Sequence, residues 1–314
     1  MNKQIKGYTL GAIAAASYGT NPLFAVPLYG DGMNPDSVLF FRYLFAIPIL
    51  ALMLKSRGHS LAVSKSLIVP LALMGLMIAL SSFTLFESYH YIDVGIASTL
   101  LFIYPIMVTL IMHFAFHESI SVQTVICMLF ALLGVGMLYN VGDGATLSTA
   151  GTLLAFASGL SYAIYIVGVN QSSLKDVPTL KVTFYVLIFG LFLFAIRLLI
   201  SQELHTPSAV HWYMWGNLLG LAVFPTAVSF LCTTAAIHCI GSSPTAILGA
   251  LEPVTAVIIG VLLFGERLTA SVITGLVLII ASVTLVVAGG NLTTHLTHFR
   301  KLFPRATAKQ SKRK

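Results

Sequence analysis

The chain has 314 residues, long enough for two soluble domains, yet only 9% are charged while 57% are hydrophobic and mean hydropathy is +0.93. Of its 17 basic and 10 acidic residues, seven basic ones (Arg300, Lys301, Arg305, Lys309, Lys312, Arg313 and Lys314) crowd into the last fifteen positions. The rest cannot coat a water-facing surface, so the surface faces lipid. The scattered Cys127, Cys232 and Cys239 exclude a disulfide-stapled secreted domain.

A helix needs about 20 apolar residues to cross a bilayer. The sequence offers ten such spans, at 7–29, 37–54, 67–90, 94–116, 121–140, 148–170, 179–201, 212–236, 242–264 and 270–289. The first is a retained span rather than a cleaved leader. Spans 3 and 4 are parted only by Tyr91-Ile92-Asp93, but one helix through both would exceed any bilayer, so the chain turns there. With the N-terminus inside, Lys3, Lys6, Lys55, Arg57, Lys65, Lys175, Lys181 and the basic tail all fall on the cytoplasmic side. Asp31, Asp36, Asp93, Asp143, Glu203 and Glu266 fall outside, with Arg267 as the one basic residue in an outer loop. The positive-inside rule therefore predicts a multi-pass protein of the plasma (inner) membrane with both termini cytoplasmic.

Polar side chains within the spans each need a partner or a purpose. Span 1 carries Ser17, Tyr18 and Asn21 at helical spacing, beside Pro22. Arg42 in span 2 has three readings: a site for a substrate carboxylate, a partner for Glu87 in span 3, or a residue reaching up to the interface. Ser81 in span 3 and Ser229 in span 8 belong to hydroxyl clusters, and span 6 carries Ser161, Tyr162 and Tyr165. Such faces suit moderately apolar metabolites, and they suit interhelix packing equally well. Glu252 in span 9 is the sharpest case, because burial disfavours the charged form of a carboxylate. It reads as a ligand for a substrate amine or a carrier of protons, or else as a neutral acid bonded to a neighbouring helix beside Pro253.

The two halves repeat one pattern. A shift of 148 lays residues 90–105 over 238–253, with His90 on His238, Tyr104-Pro105 on Glu252-Pro253, Ser81 on Ser229 and Glu118 on Glu266. A shift of 144 lays Gly7, Gly11, Ala15 and Gly19 over Gly151, Ala155, Gly159 and Ala163, and Ser17-Tyr18 over Ser161-Tyr162. Small residues at every fourth position let a second helix approach closely. Each repeat has five spans, an odd number, so the second enters the membrane from the opposite side. That is the architecture of a carrier. The expected organisation is a first repeat at 1–143, an inverted second repeat at 144–290 and a basic cytoplasmic tail at 291–314.

Over residues 7–290 the chain resembles the EamA-type, ten-helix branch of the drug/metabolite transporter superfamily. The resemblance is carried by Phe41-Arg42, by Pro105 followed by Glu118, and by Glu252-Pro253-Val254 followed by Gly265-Glu266-Arg267-Leu268. The chain departs from the family where Tyr18-Gly19 stands for Trp-Gly, Tyr162-Ala163 occupies span 6, His117-Glu118 stands for Gly-Glu and Asn170 replaces a basic residue. The resemblance implies an all-α membrane protein, ten transmembrane helices as two inverted five-helix repeats around a central cavity, whose relatives export amino acids and related metabolites.

No phosphate loop, nucleophile elbow or metal-ligand spacing is present, so no cofactor, metal or catalytic residue is expected and movement would be gradient-driven. The expected function is secondary-active or facilitative export of a small metabolite by alternating access. Ser17, Tyr18, Asn21, Arg42, Ser81, Tyr104, Ser161, Tyr162, Tyr165, Ser229 and Glu252 are the substrate-site candidates, and Glu252 is also the candidate for proton coupling. The expected partners are the metabolite, the lipid bilayer and protons, with no nucleic acid, in a monomer or homodimer. Two alternatives stand: broad efflux of toxic cations, and a membrane-embedded enzyme or scaffold.

Overall fold

The computed structural model describes residues 3–58, 60–88, 91–92, 100–138, 148–264 and 269–285. Asp93, His90, Asp143, the Gly265-Glu266-Arg267-Leu268 motif and the basic tail lie outside them. In chain order the helices are α1 (Lys3–Tyr18), α2 (Asn21–Gly30), α3 (Pro35–Ser56), α4 (Lys65–Ser88), α5 (Tyr104–Phe116) and α6 (Val122–Leu138). They continue with α7 (Thr149–Gln171), α8 (Thr179–Ser201), α9 (Met214–Ile240), α10 (Ser242–Leu248), α11 (Leu251–Phe264) and α12 (Ala270–Leu285). Every one of the ten spans is represented by helix. Apolar side chains lie open along the outside of the bundle, with Leu199 and Leu262 each 76% exposed, as a lipid-facing surface requires.

Spans 1, 4 and 9 are each broken, and proline accounts for the breaks. A proline lacks the N–H that the helix ladder needs, and its ring crowds the carbonyl four residues back. Pro22 opens α2, directly after the Gly19-Thr20 turn. Pro105 sits in the first turn of α5, after a turn at Phe102-Ile103. Pro253 sits in the first turn of α11, after a turn at Gly249-Ala250 in which the Glu252 N–H bonds the Gly249 carbonyl at 2.9 Å. The prolines of spans 4 and 9 are equivalent under the 148-residue shift, and the breaks before them fall within one residue of each other.

The repeat is visible in the packing. Gly7 lies against Cys239 and Ile240, and Gly151 lies against Tyr91 and Ile92, positions that correspond under the same two shifts. Gly11 meets Leu248, while its counterpart Ala155 packs beside Leu100, the counterpart of Leu248. The small-residue stripe at the start of each repeat therefore docks on the third-to-fourth span region of the other. Spans 5 and 10 pair at the periphery, where Ser282 donates to the Cys127 carbonyl (2.7 Å) and Ser271 to the Met137 carbonyl (2.7 Å).

Two connections strap the repeats together. At the face predicted to be outside, the segment after α8 crosses to the start of α3. There the Ser208 N–H donates to Asp31 (2.9 Å), His211 Nδ1 meets Asp31 at 2.6 Å, and Asn34 donates to the Glu203 carbonyl at 2.9 Å. Asp36 pairs with Arg197 at 3.0 Å. At the opposite face the segment after α3 crosses to the start of α8, where Lys181 donates to the Ala62 carbonyl (2.9 Å) and the Tyr185 hydroxyl to the Leu61 carbonyl.

Candidate substrate-binding site

At the broken helices the interior becomes polar. The Tyr104 hydroxyl, on the first residue of α5, donates to the Ala246 carbonyl of α10 at 3.0 Å. It occupies the space a Cβ would take at Gly249, so only glycine fits at that place. Tyr104 stands edge-on to Tyr162 of α7 with ring centroids 4.8 Å apart, and Tyr162 stacks on Tyr165 at 6.2 Å. Tyr104, Tyr162, Thr233, Thr245 and Glu252 line a central cavity whose remaining walls are Gly11, Ala14, Ala15, Ile166 and Gly249. Its volume is about 10 Å³, room for about one water. The cavity sits where the sequence expects one, but in this conformation it is too small to hold an amino acid.

Glu252 opens the first turn of α11, where a carboxylate faces the unsatisfied N–H groups of a helix start. Gly19 lets the α1–α2 turn lie on its backbone, since a Cβ there would stand 2.5 Å from the Glu252 carbonyl oxygen and 2.6 Å from Thr255. Tyr18, on the same turn, presents its ring to Arg42, whose guanidinium carbon lies 5.3 Å from the ring centroid. Tyr18 thus packs on the cation from the turn that lies against the Glu252 backbone.

Arg42 is 4% exposed and does not take the partner proposed from sequence. Its Nε donates to Thr226 Oγ1 (2.5 Å), Nη1 to Asn21 Oδ1 (3.1 Å) and Nη2 to the Pro225 carbonyl (2.9 Å). Among the described residues it has no ion pair with Glu87 or any other acid, and its burial rules out a side chain extended to the interface. Three of the five guanidinium N–H donors are spent. The acceptors belong to a π-helical stretch of α9, Ala222–Val228, that contains Pro225. Pro225 cannot donate to the Leu221 carbonyl four residues back. The helix widens, and the Thr226 hydroxyl donates to that carbonyl at 2.8 Å while its oxygen accepts from Arg42.

The remaining candidates sort by their contacts. Asn21 belongs to the Arg42 cluster even though α1 ends before it, so the single helical face drawn through Ser17, Tyr18 and Asn21 is interrupted. Ser81 exchanges bonds with Ser158 of α7 (3.1 and 2.7 Å) and cements α4 to α7. Ser161 donates to the Ala157 carbonyl of its own helix at 2.8 Å. Tyr165 is fully buried, with its hydroxyl 3.4 Å from Thr234. Ser17 is half-buried and Ser229 buried, and neither lines the central cavity. Thr245 and Gly249 were not among the sequence candidates. The signal for both was the Glu252-Pro253 pair, which predicts a break just before it.

Comparison with known proteins agrees with this architecture. The model of the EamA-like transporter family matches twice, over residues 5–140 and 149–288. The chain is 28% identical to an uncharacterized transporter of Archaeoglobus fulgidus over 272 residues, 86% of this chain and 92% of that one. It is 26% identical to the threonine/homoserine exporter RhtA of Salmonella typhimurium over 216 residues, 68% of this chain and 69% of the exporter. One solved crystal structure superposes with a TM-score of 0.76 at 17% identity, covering 89% of this chain and 95% of its own, which shows a shared fold. With a copy of the family's unit in each half and the two copies packed reciprocally, this chain belongs to the EamA-like transporter family: it is a multi-pass membrane transporter and not an enzyme.

Proposed function

We propose that the chain exports small zwitterionic metabolites, amino acids or close analogues, by alternating access between its two repeats. The observation that carries this reading is a buried cation, Arg42, over the Tyr18 ring, with Glu252 on the segment that packs against the adjoining Gly19 turn and no ion pair between the two. An isolated charge in a membrane interior is costly, and a substrate with one carboxylate and one amine compensates both. Arg42 would take the carboxylate, Glu252 the amine or a coupling proton, and Tyr18, Tyr104 and Tyr162 the side chain. The exporter among the relatives supports an amino-acid substrate. The proximity of Arg42 speaks against efflux of toxic cations, which a buried guanidinium would repel. In this reading the two repeats occupy 1–143 and 144–290, both termini lie in the cytoplasm, and the tail at 291–314 rests on anionic lipid.

The test is reconstitution into liposomes, with labelled amino acids screened for efflux under an imposed proton gradient. Saturable transport of at least one α-amino acid is expected, competed by its zwitterionic analogues but not by the corresponding amine lacking the carboxylate. Transport of amines and quaternary cations with no response to amino acids would reject the reading.

A further inference from the structure

The Arg42 cluster has a counterpart that carries none of its chemistry. Carrying the 144-residue shift of span 1 on into span 2 lays Arg42 over Val186, and the 148-residue shift lays Ile78 under Thr226 and Gly75 under Val223. The α3–α9 seam, toward the predicted outer face, therefore corresponds to the α8–α4 seam toward the predicted inner face. At α8–α4 the backbones touch: a Cβ on Gly75 would stand 2.7 Å from the Val186 carbonyl oxygen and 3.1 Å from the Gly190 nitrogen. Val186 and Ile78 are apolar and buried there, and α4 runs unbroken from Lys65 to Ser88. At α3–α9 the partner helix is widened by Pro225, and the seam is closed by hydrogen bonds to one cation.

We propose that the α3–α9 seam is the gate on the outer side, with Arg42 as its latch and Thr226, Pro225 and Asn21 as the groups that position the latch. Opening this seam exchanges three guanidinium hydrogen bonds for bonds to water and hydrates a cation otherwise held away from solvent. The Pro225 carbonyl binds Arg42, so the latch releases while α9 keeps its own ladder. Opening the α8–α4 seam around Gly75 strips close-packed backbone surface flanked by the apolar Val186 and Ile78. The α8–α4 seam therefore stays shut while the outer gate works. This inference rests on the carrier reading, since a gate requires a path behind it.

Two alanines report on the two seams. Ala227 on α9 and Ala79 on α4 are equivalent under the 148-residue shift, and they are 2% and 0% exposed. In a background with Cys127, Cys232 and Cys239 replaced by serine, Ala227→Cys and Ala79→Cys are each treated from outside the cell with a membrane-impermeant methanethiosulfonate, with no substrate added. Ala227→Cys is expected to label from outside and Ala79→Cys to stay unlabelled. Adding Thr226→Val raises the Ala227→Cys rate about ten-fold, the effect of losing one charge-assisted hydrogen bond. Arg42→Gln, which removes all three, raises it at least as much, and both leave Ala79→Cys unchanged. Thr226→Val keeps the cation and the side-chain size, so it carries the test should Arg42→Gln fail to accumulate. Equal rates at the two reporters, a parallel rise at both, or labelling of Ala227→Cys only from the cytoplasmic side would overturn the proposal. Because the readout needs no substrate, a failure to move amino acids leaves it standing, and equal labelling leaves the transport reading standing.

Discussion

The two seams between the repeats occupy equivalent places in a duplicated fold, yet they are built on opposite principles. At α4–α8 the glycines Gly75 and Gly190 bring backbones into contact, and the neighbouring side chains are apolar. At α3–α9 a valine stands where Gly75 would be, a proline widens the helix, and a buried arginine bridges the gap. A perfectly symmetric carrier would have inward-open and outward-open states of matched energy. Here the symmetry of the backbone survives while the chemistry of the two contacts has diverged: in the proposed gate the outer contact opens by exchanging hydrogen bonds with water, whereas the inner one opens only by parting apolar surface.

This contrast is sharpest under substitution. Gly75→Val forces a branched side chain into Phe189 and the Val186 carbonyl, and should cost about 3 kcal/mol or more, with little folded protein surviving detergent extraction. The reverse change at the counterpart, Val223→Gly, should cost only about 1 kcal/mol, from helix propensity and the loss of a half-buried side chain together, read from the midpoint of thermal unfolding in detergent. Similar losses at the two sites would erase the distinction between the seams.

Arg42→Gln should act the other way round. Transport is expected to fall by roughly 30-fold or more, while stability changes by no more than about 1 kcal/mol, because removing a buried cation offsets the lost hydrogen bonds. Tyr104→Phe removes one neutral hydrogen bond, to the Ala246 carbonyl, and should lower stability by about 1 kcal/mol with the aromatic contact to Tyr162 retained.

The smallest effect belongs to the outer strap. The hydrogen bond from His211, and then the Ser208 N–H, hold the Asp31 carboxyl below the usual carboxylate range. A carboxylate depressed in the folded state contributes stability that is fully present above its unfolded value of about 3.9 and is lost as pH falls through the lower folded value. Asp31→Asn should therefore melt slightly earlier than wild type at neutral pH, and the two melting temperatures should converge as the pH drops below about 4. A gap that persists in acid would mean the strap does not depend on this charge.

Much of the fold was legible because a bilayer enforces a simple rule: long apolar runs must be helices, and an odd number per repeat inverts the second copy. The small-residue stripes at Gly7–Gly19 and Gly151–Ala163 also announced which faces dock closely, though not on what. The breaks were harder to read, because hydropathy passes straight over Gly249-Ala250 and Phe102-Ile103. Only Pro253 and Pro105, each next to the paired Glu252 and Tyr104, hinted at them. The partner of Arg42 was not legible at all. Its bond to Thr226 spans 184 residues and depends on a widened turn, while the sequence offered Glu87 as the nearer acid. Charge complementarity suggested an ion pair, and the protein instead satisfies the cation with a hydroxyl, an amide and a carbonyl. Among the described residues, that choice leaves the cation without an ion pair.

In the proposed cycle Glu252 and Arg42 serve a solute that passes between the repeats. The most direct measurement compares wild type with Glu252→Gln in liposomes, following accumulation of a labelled amino acid against its gradient and, separately, exchange of labelled for unlabelled solute with no gradient imposed. Uphill accumulation should vanish in Glu252→Gln while exchange continues, because the neutral side chain still lines the cavity but carries no proton. Undiminished accumulation in that variant would contradict the account.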